Sequence, residues 1–278
     1  MIEFLIEPLS YGTTLRAVVE MTILGIASGV LGCWVILYRL SYGAESLAHG
    51  MLPGLVVAGL AGLPLLLGGG LGIILAGGLV ALATRLPFSE PDTAIAVVVT
   101  TLFGTGILLA LSPAAPAGIG ELLFGNLLGT DWGEIVISAA STGALLSIVW
   151  LLHDRLLAVG FDGDAAGLTG LPANLVNILL ITLVAAAILV SVQALGTLLV
   201  AALLVGPAAT ARLVTTRIGP MIASSAAIAL TAGLAGIYAS FHLKTAAGAS
   251  IVLFILLFFL VAASLDAARG RIAGPERG

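Results

Sequence analysis

An all-α, polytopic membrane bundle of eight or nine spanning helices is the fold class this chain predicts, and three observations carry the prediction. Hydrophobic runs recur along nearly all of the 278 residues, each close to the roughly 20 apolar helical residues that one bilayer crossing takes. Charged residues make up only 9% and hydrophobic ones 60%, with a mean hydropathy of +1.23, more apolar surface than a soluble domain of this length can hide. The runs are continuous and rich in Leu, Ala and Gly rather than alternating, so helices rather than a closed barrel satisfy the backbone in lipid. Residues 1–278 read as a single transmembrane domain with a short polar tail at 269–278.

Met1 to Gly12 carries Glu3 and Glu7 and no basic stretch, and reads as an interfacial lead-in rather than a cleaved signal peptide. The first span, 16–38, contains Cys33, the only cysteine, so no intrachain disulfide forms. Gly25 and Gly29 within it, like Gly68 and Gly72 in the third span at 65–84, have the spacing that lets helices approach closely. The second segment, 47–62, is short and carries Pro53-Gly54 near its start, the mark of a broken or partly re-entrant helix; hence eight full spans as well as nine. Pro91 and Asp92-Thr93 suit the start of the span at 92–111. An outer loop at 112–132 precedes the span at 133–152, and the remaining spans are 173–192, 195–214, 219–242 and 247–268.

Lys and Arg favour the cytoplasmic side. Placing Arg39, Arg85, Arg155, Arg212, Arg217 and the tail arginines inside makes nine segments alternate, with only Arg16 and Lys244 outside. The net charge of −4 gives no sign of nucleic-acid binding.

Ionisable groups within apolar segments are costly and mark sites. Most acids here lie at ends and loops, Glu20 near an outer helix end among them; the exception is SYGAESLAHGMLPG at 41–54. Glu45 and His49 are four apart and project from one helix face. Carboxylate plus imidazole suits Zn, Mn or Fe, but two ligands do not close a site, so a second copy of the chain or other groups must complete it. A helix-start carboxylate beside a histidine bonded to backbone is the competing reading. His242 with Tyr238 reads as an interface anchor, and His153-Asp154-Arg155 as a solvated turn.

The inner loop 155–172, RLLAVGFDGDAAGLTGLP, is the least apolar internal loop on that side. Asp162 and Asp164 can open a short helix that Gly170, Leu171 and Pro172 close. Such a helix outside the bilayer is a natural docking piece, and equally an ordinary loop. The chain holds no G-x4-G-K-[ST] phosphate loop, so an ATP-driven process needs a motor on another polypeptide.

Six stretches in series, LGCWVILYRLSYGAESLAHGMLPG at 31–54, DTAIAVVVTTLF at 92–103, ELLFGNLLG at 121–129, FDGDAAGLTGLP at 161–172, ALGTLLVAALLVGPAATAR at 194–212 and the 236–256 region, give the chain a resemblance to the permease subunits of bacterial ABC importers for zinc, manganese and iron(II). The resemblance implies a non-enzymatic subunit of the cytoplasmic membrane that dimerises, two cytoplasmic ATPase subunits, an extracytoplasmic metal-binding protein, and a transported divalent cation in place of any resident cofactor. It implies that Phe161 to Pro172 is the helix received by the ATPase, with Phe161, Asp162, Asp164, Ala165, Leu168, Gly170 and Leu171 as its contact residues. The family's Asp-x3-His pair, linked to the metal path, falls on Glu45 and His49; Glu replaces the commoner Asp, which keeps the ligand chemistry and moves the oxygen.

The resulting expectation is alternating access, with two Glu45/His49 pairs, one from each protomer, transiently ligating the ion on the dimer axis. Glu45 follows Arg39 by only a few residues, so a mid-pore site requires segment two to fold back or enter deeply. A permease for chelates such as siderophores or cobalamin needs no such pair. A motor-independent channel or secondary carrier gives 161–172 no role.

Overall fold

In the computed structural model, described for residues 7–84, 91–113, 121–161 and 172–272, every regular element is helical. Gly12–Leu37 is α1, Ser41–Gly50 α2, Leu52–Leu60 α3, Leu65–Ala83 α4, Pro91–Ala110 α5 and Glu121–Phe124 α6. A 3-10 turn at Leu127–Gly129 leads to α7 (Trp132–Leu151), α8 (His153–Phe161), α9 (Ala173–Val214), α10 (Ile218–Leu243) and α11 (Ala247–Ile272). Seven of the described helices are long and apolar enough to cross a membrane.

The expected second segment is the pair α2 and α3, each too short to span alone. Pro53 sits in the first turn of α3, where its missing N–H costs nothing. Placed mid-helix it would open the ladder, so the chain restarts at Met51. The expected spans 173–192 and 195–214 fall within the 42 residues of α9. An unbroken helix of that length would run about 63 Å, twice the hydrocarbon core. Gly196 interrupts it at φ 73°, ψ 162°, a conformation essentially reserved for glycine. At the start of α7, Asp131 Oδ1 accepts from the Glu134 backbone N–H (2.9 Å) and Glu134 Oε2 accepts from the Asp131 N–H (3.0 Å). This reciprocal cap explains the sharp start at Trp132.

The chain forms two compact units. One comprises residues 1–38, 127–173 and 202–278, the other 39–126 and 174–201. In the first, α1 packs along α10. A Cβ at Gly29 would lie 2.8 Å from the Ala226 Cα, and one at Gly32 would collide with the Leu204 carbonyl. The missing side chains therefore set the helix separation. Cys33, Ala208, Ala211 and Met221 form an apolar core there, flanked by Ile36, Ile218, Ile222 and Ile228. In the second unit Gly54 of α3 faces Gly68 and Gly72 of α4 backbone to backbone, and Gly69 receives Leu55 and Leu189. Both small-residue pairs expected from the sequence are thus consumed in packing within the chain.

Candidate metal site

The candidate ligands lie on α2, in the second unit. Its last turn is seated by small residues: a Cβ at Gly72 would meet Met51 backbone at 2.7 Å, and one at Gly50 would meet the Ala76 methyl at 2.6 Å. The Ser46 hydroxyl bonds back to the Tyr42 carbonyl at 2.6 Å, so it is turned into its own helix rather than toward a ligand.

The four-residue spacing brings Glu45 and His49 together, with Glu45 Oε1 3.8 Å from His49 Nε2. That is too long for a direct hydrogen bond. It is a few tenths of an ångström wider than the edge of about 3.4 Å that two donors of one tetrahedral ion at ~2.1 Å would span. Small side-chain rotations close the difference. The side chain of Glu45 is 52% exposed and that of His49 16%, so the carboxyl presents itself outward from a sheltered imidazole. Phe103 of α5 holds the other side of the ring, with centroids 4.7 Å apart and planes inclined 47°. His49 Nδ1 is buried without a hydrogen-bond partner among the described residues. Among the described residues the ring is therefore held by packing against Phe103 and by the nearby Glu45 carboxyl, with no hydrogen bond at Nδ1. Among the described residues no cluster of three or more His, Cys, Asp or Glu forms. The two side chains singled out in the sequence are thus brought together on one helix face. Phe103 was missed as a site residue because an aromatic in an apolar run carries no sign that it supports an imidazole; it closes the 92–103 stretch.

Of the expected docking residues, Phe161 is the last residue of α8 and is 71% exposed. Asp162, Asp164, Ala165, Leu168, Gly170 and Leu171 lie outside the described residues. Before them, α8 is fastened to the end of α1. The Tyr38 hydroxyl donates to the Leu156 carbonyl at 2.8 Å, the Trp34 and His153 rings meet edge to face at 5.3 Å, and Gly160 lies against Leu37 and Tyr38. His153 is thus packed rather than a freely solvated turn.

Glu20, whose place near an outer helix end suggests a side chain facing the membrane interface, is instead enclosed. It is 1% exposed, and the Ser138 hydroxyl donates to its Oε1 at 2.6 Å. It faces α7 rather than an interface with lipid headgroups. His242 packs edge to face on Phe241, whose ring lies tilted at 49° against that of Tyr11. Two of the resemblance stretches meet at Gly125. Its φ is +78°, and a Cβ there would collide with the Ala194–Leu195 backbone just before the break at Gly196.

The model of the ABC 3 transport family matches residues 10–266. A probable iron transport system membrane protein of Haemophilus influenzae is 29% identical over 98% of this chain and 100% of its own length. The manganese transport system membrane protein MntC of Halalkalibacterium halodurans is 31% identical over 99% of this chain and 94% of its own. Among solved structures, PsaBC from Streptococcus pneumoniae in complex with Fab superposes with a TM-score of 0.86 at 29% identity, covering 94% of this chain and 95% of that one.

Proposed function

The chain belongs to the ABC 3 transport family, and from that premise we propose that it is the membrane-spanning permease subunit of an ATP-driven importer of divalent metal ions in the bacterial cytoplasmic membrane. The observation that carries the substrate class is the Glu45–His49 pair, two ligands of the right chemistry facing one another on a helix packed among spanning helices. The manganese and iron transport names of its relatives support the same class. A chelate, already fully ligated, has no use for this pair.

Hydrolysis resides on a separate ATPase, which receives the segment from Phe161 to Pro172, and an extracytoplasmic binding protein delivers the ion. A second, identical protomer supplies another Glu45/His49 pair, which raises the ligand count from two to four. Glu45, the more exposed partner, meets the ion first; His49, braced by Phe103, then completes the pair. Ligation by two flexible pairs is weak enough for release, as conduction requires.

Cells expressing this permease with its ATPase and binding protein, supplied with labelled zinc, manganese or iron, test the reading. Selective uptake that falls in Glu45→Gln and His49→Ala variants supports it. Uptake of chelates alone, unchanged in both variants, contradicts it.

A further inference from the structure

We propose that the clamp between the end of α1 and α8 is the link that passes the motion of the docking segment into the membrane helices, with Tyr38 as its positioning residue. The inference rests on the docking role proposed for 161–172. That segment is joined to the bundle by α8 on one side and by α9 on the other, so a push on it reaches the bundle in part through α8. A nine-residue helix with one exposed face could absorb the motion by swinging about Leu152, where α7 ends. Contacts along the length of α8 oppose this. His153 in its first turn meets Trp34, the Leu156 carbonyl in its middle takes the Tyr38 hydroxyl, and Gly160 in its last turn meets Leu37 and Tyr38.

His153 meets Trp34, and both Leu156 and Gly160 meet the Leu37–Tyr38 end, so α8 is held as a body to the last turn and cap of α1. Leu156 is fully buried and Val159 nearly so, which seats the apolar face. The hydroxyl bond is the directional member. It fixes α8 against sliding along α1, which apolar contacts alone permit. Gly160 makes the approach possible, since a Cβ there would stand 2.9 Å from Leu37 Cδ2 and 3.0 Å from Tyr38 Cε2. Beyond Tyr38 the chain turns through Arg39 in the left-handed region at φ 57° and enters α2. Tyr38 stands seven positions before Glu45 in the sequence.

The test uses the complete complex of permease, ATPase and binding protein in liposomes, with the metal that wild type imports. Tyr38→Phe keeps the ring and removes only the hydroxyl; Gly160→Leu wedges α8 away from Tyr38. For both, the ions imported per ATP hydrolysed should fall, about fivefold for Tyr38→Phe, the factor that one hydrogen bond commonly carries. ATP hydrolysis and co-purification of the ATPase should stay near wild type for Tyr38→Phe, which a merely structural role would not give. Unchanged ions per ATP in both variants overturns the clamp while leaving the docking role standing. Loss of the ATPase from Tyr38→Phe, or an equal fall in import and hydrolysis, also overturns it. Absence of ATP-dependent import by wild type removes the docking role and the clamp together.

Discussion

Ser138 of α7 donates a 2.6 Å hydrogen bond to Glu20 of α1, joining two helices 118 positions apart through a carboxyl group that is almost wholly buried. Removing one partner of such a bond leaves the other unsatisfied where no water reaches, at a cost of about 1–3 kcal/mol. Glu20→Ala should lower the melting temperature of the purified protein. Glu20→Gln, which keeps an acceptor oxygen, should lower it less, and adding Ser138→Ala to Glu20→Ala should recover part of the loss. A melting temperature unmoved by Glu20→Ala would show that the bond contributes nothing.

Gly54→Ala should be far more damaging than Gly78→Ala. A Cβ at Gly54 would collide with the Gly68 carbonyl and the Gly72 backbone, whereas nothing lies within 4 Å of one at Gly78. Overpacking of this kind costs about 1–3 kcal/mol, and it forces α3 away from the α4 face that also seats the end of α2. Thermal unfolding in detergent and metal uptake should both fall for Gly54→Ala and stay near wild type for Gly78→Ala; equal behaviour would rule out the close α3–α4 contact.

Gly196 carries the break in α9. At φ 73° and ψ 162° a side chain is strained whatever the space around it, by about 1–3 kcal/mol. Gly196→Ala should therefore reduce folded yield, read by size-exclusion profile after extraction, while Gly143→Ala, at a helical position with open space, should not. Comparable profiles would mean that the break tolerates side chains.

Much of this architecture was legible because lipid allows few solutions. The long runs fix helices by the length of a bilayer crossing. Pro53 marked the interruption between α2 and α3, since the missing N–H is local chemistry. The break in α9 was placed at residues 193–194 and lies two residues on, at Gly196, the residue there that can take φ 73° and ψ 162°. The Glu45–His49 pair was readable from its four-residue spacing. Phe103 behind the imidazole, the Glu20–Ser138 bond and the Tyr38–Leu156 clamp were not, since each joins residues far apart in the chain through groups that are common in helices.

Phe103→Ala should weaken transport without removing a ligand. It takes away the ring that braces His49, so the imidazole loses its preferred orientation and the cost of ordering it falls on ion binding. Initial-rate uptake should show a raised half-saturation for metal, while Phe103→Leu, which keeps apolar bulk, should do better than alanine. Identical half-saturation in wild type and Phe103→Ala would mean that His49 is positioned by other contacts.

The most direct test of the metal-pair account is ATP-dependent uptake of labelled manganese, zinc and iron by the full complex in liposomes, comparing wild type with Glu45→Gln, His49→Ala and the double variant. The account predicts that wild type imports at least one of the three, that each single variant loses at least about tenfold, the span of ~1.4 kcal/mol in ion ligation, and that the double variant loses little more, because the two ligands act as one site. Wild-type rates in the double variant, with the complex intact, would contradict it.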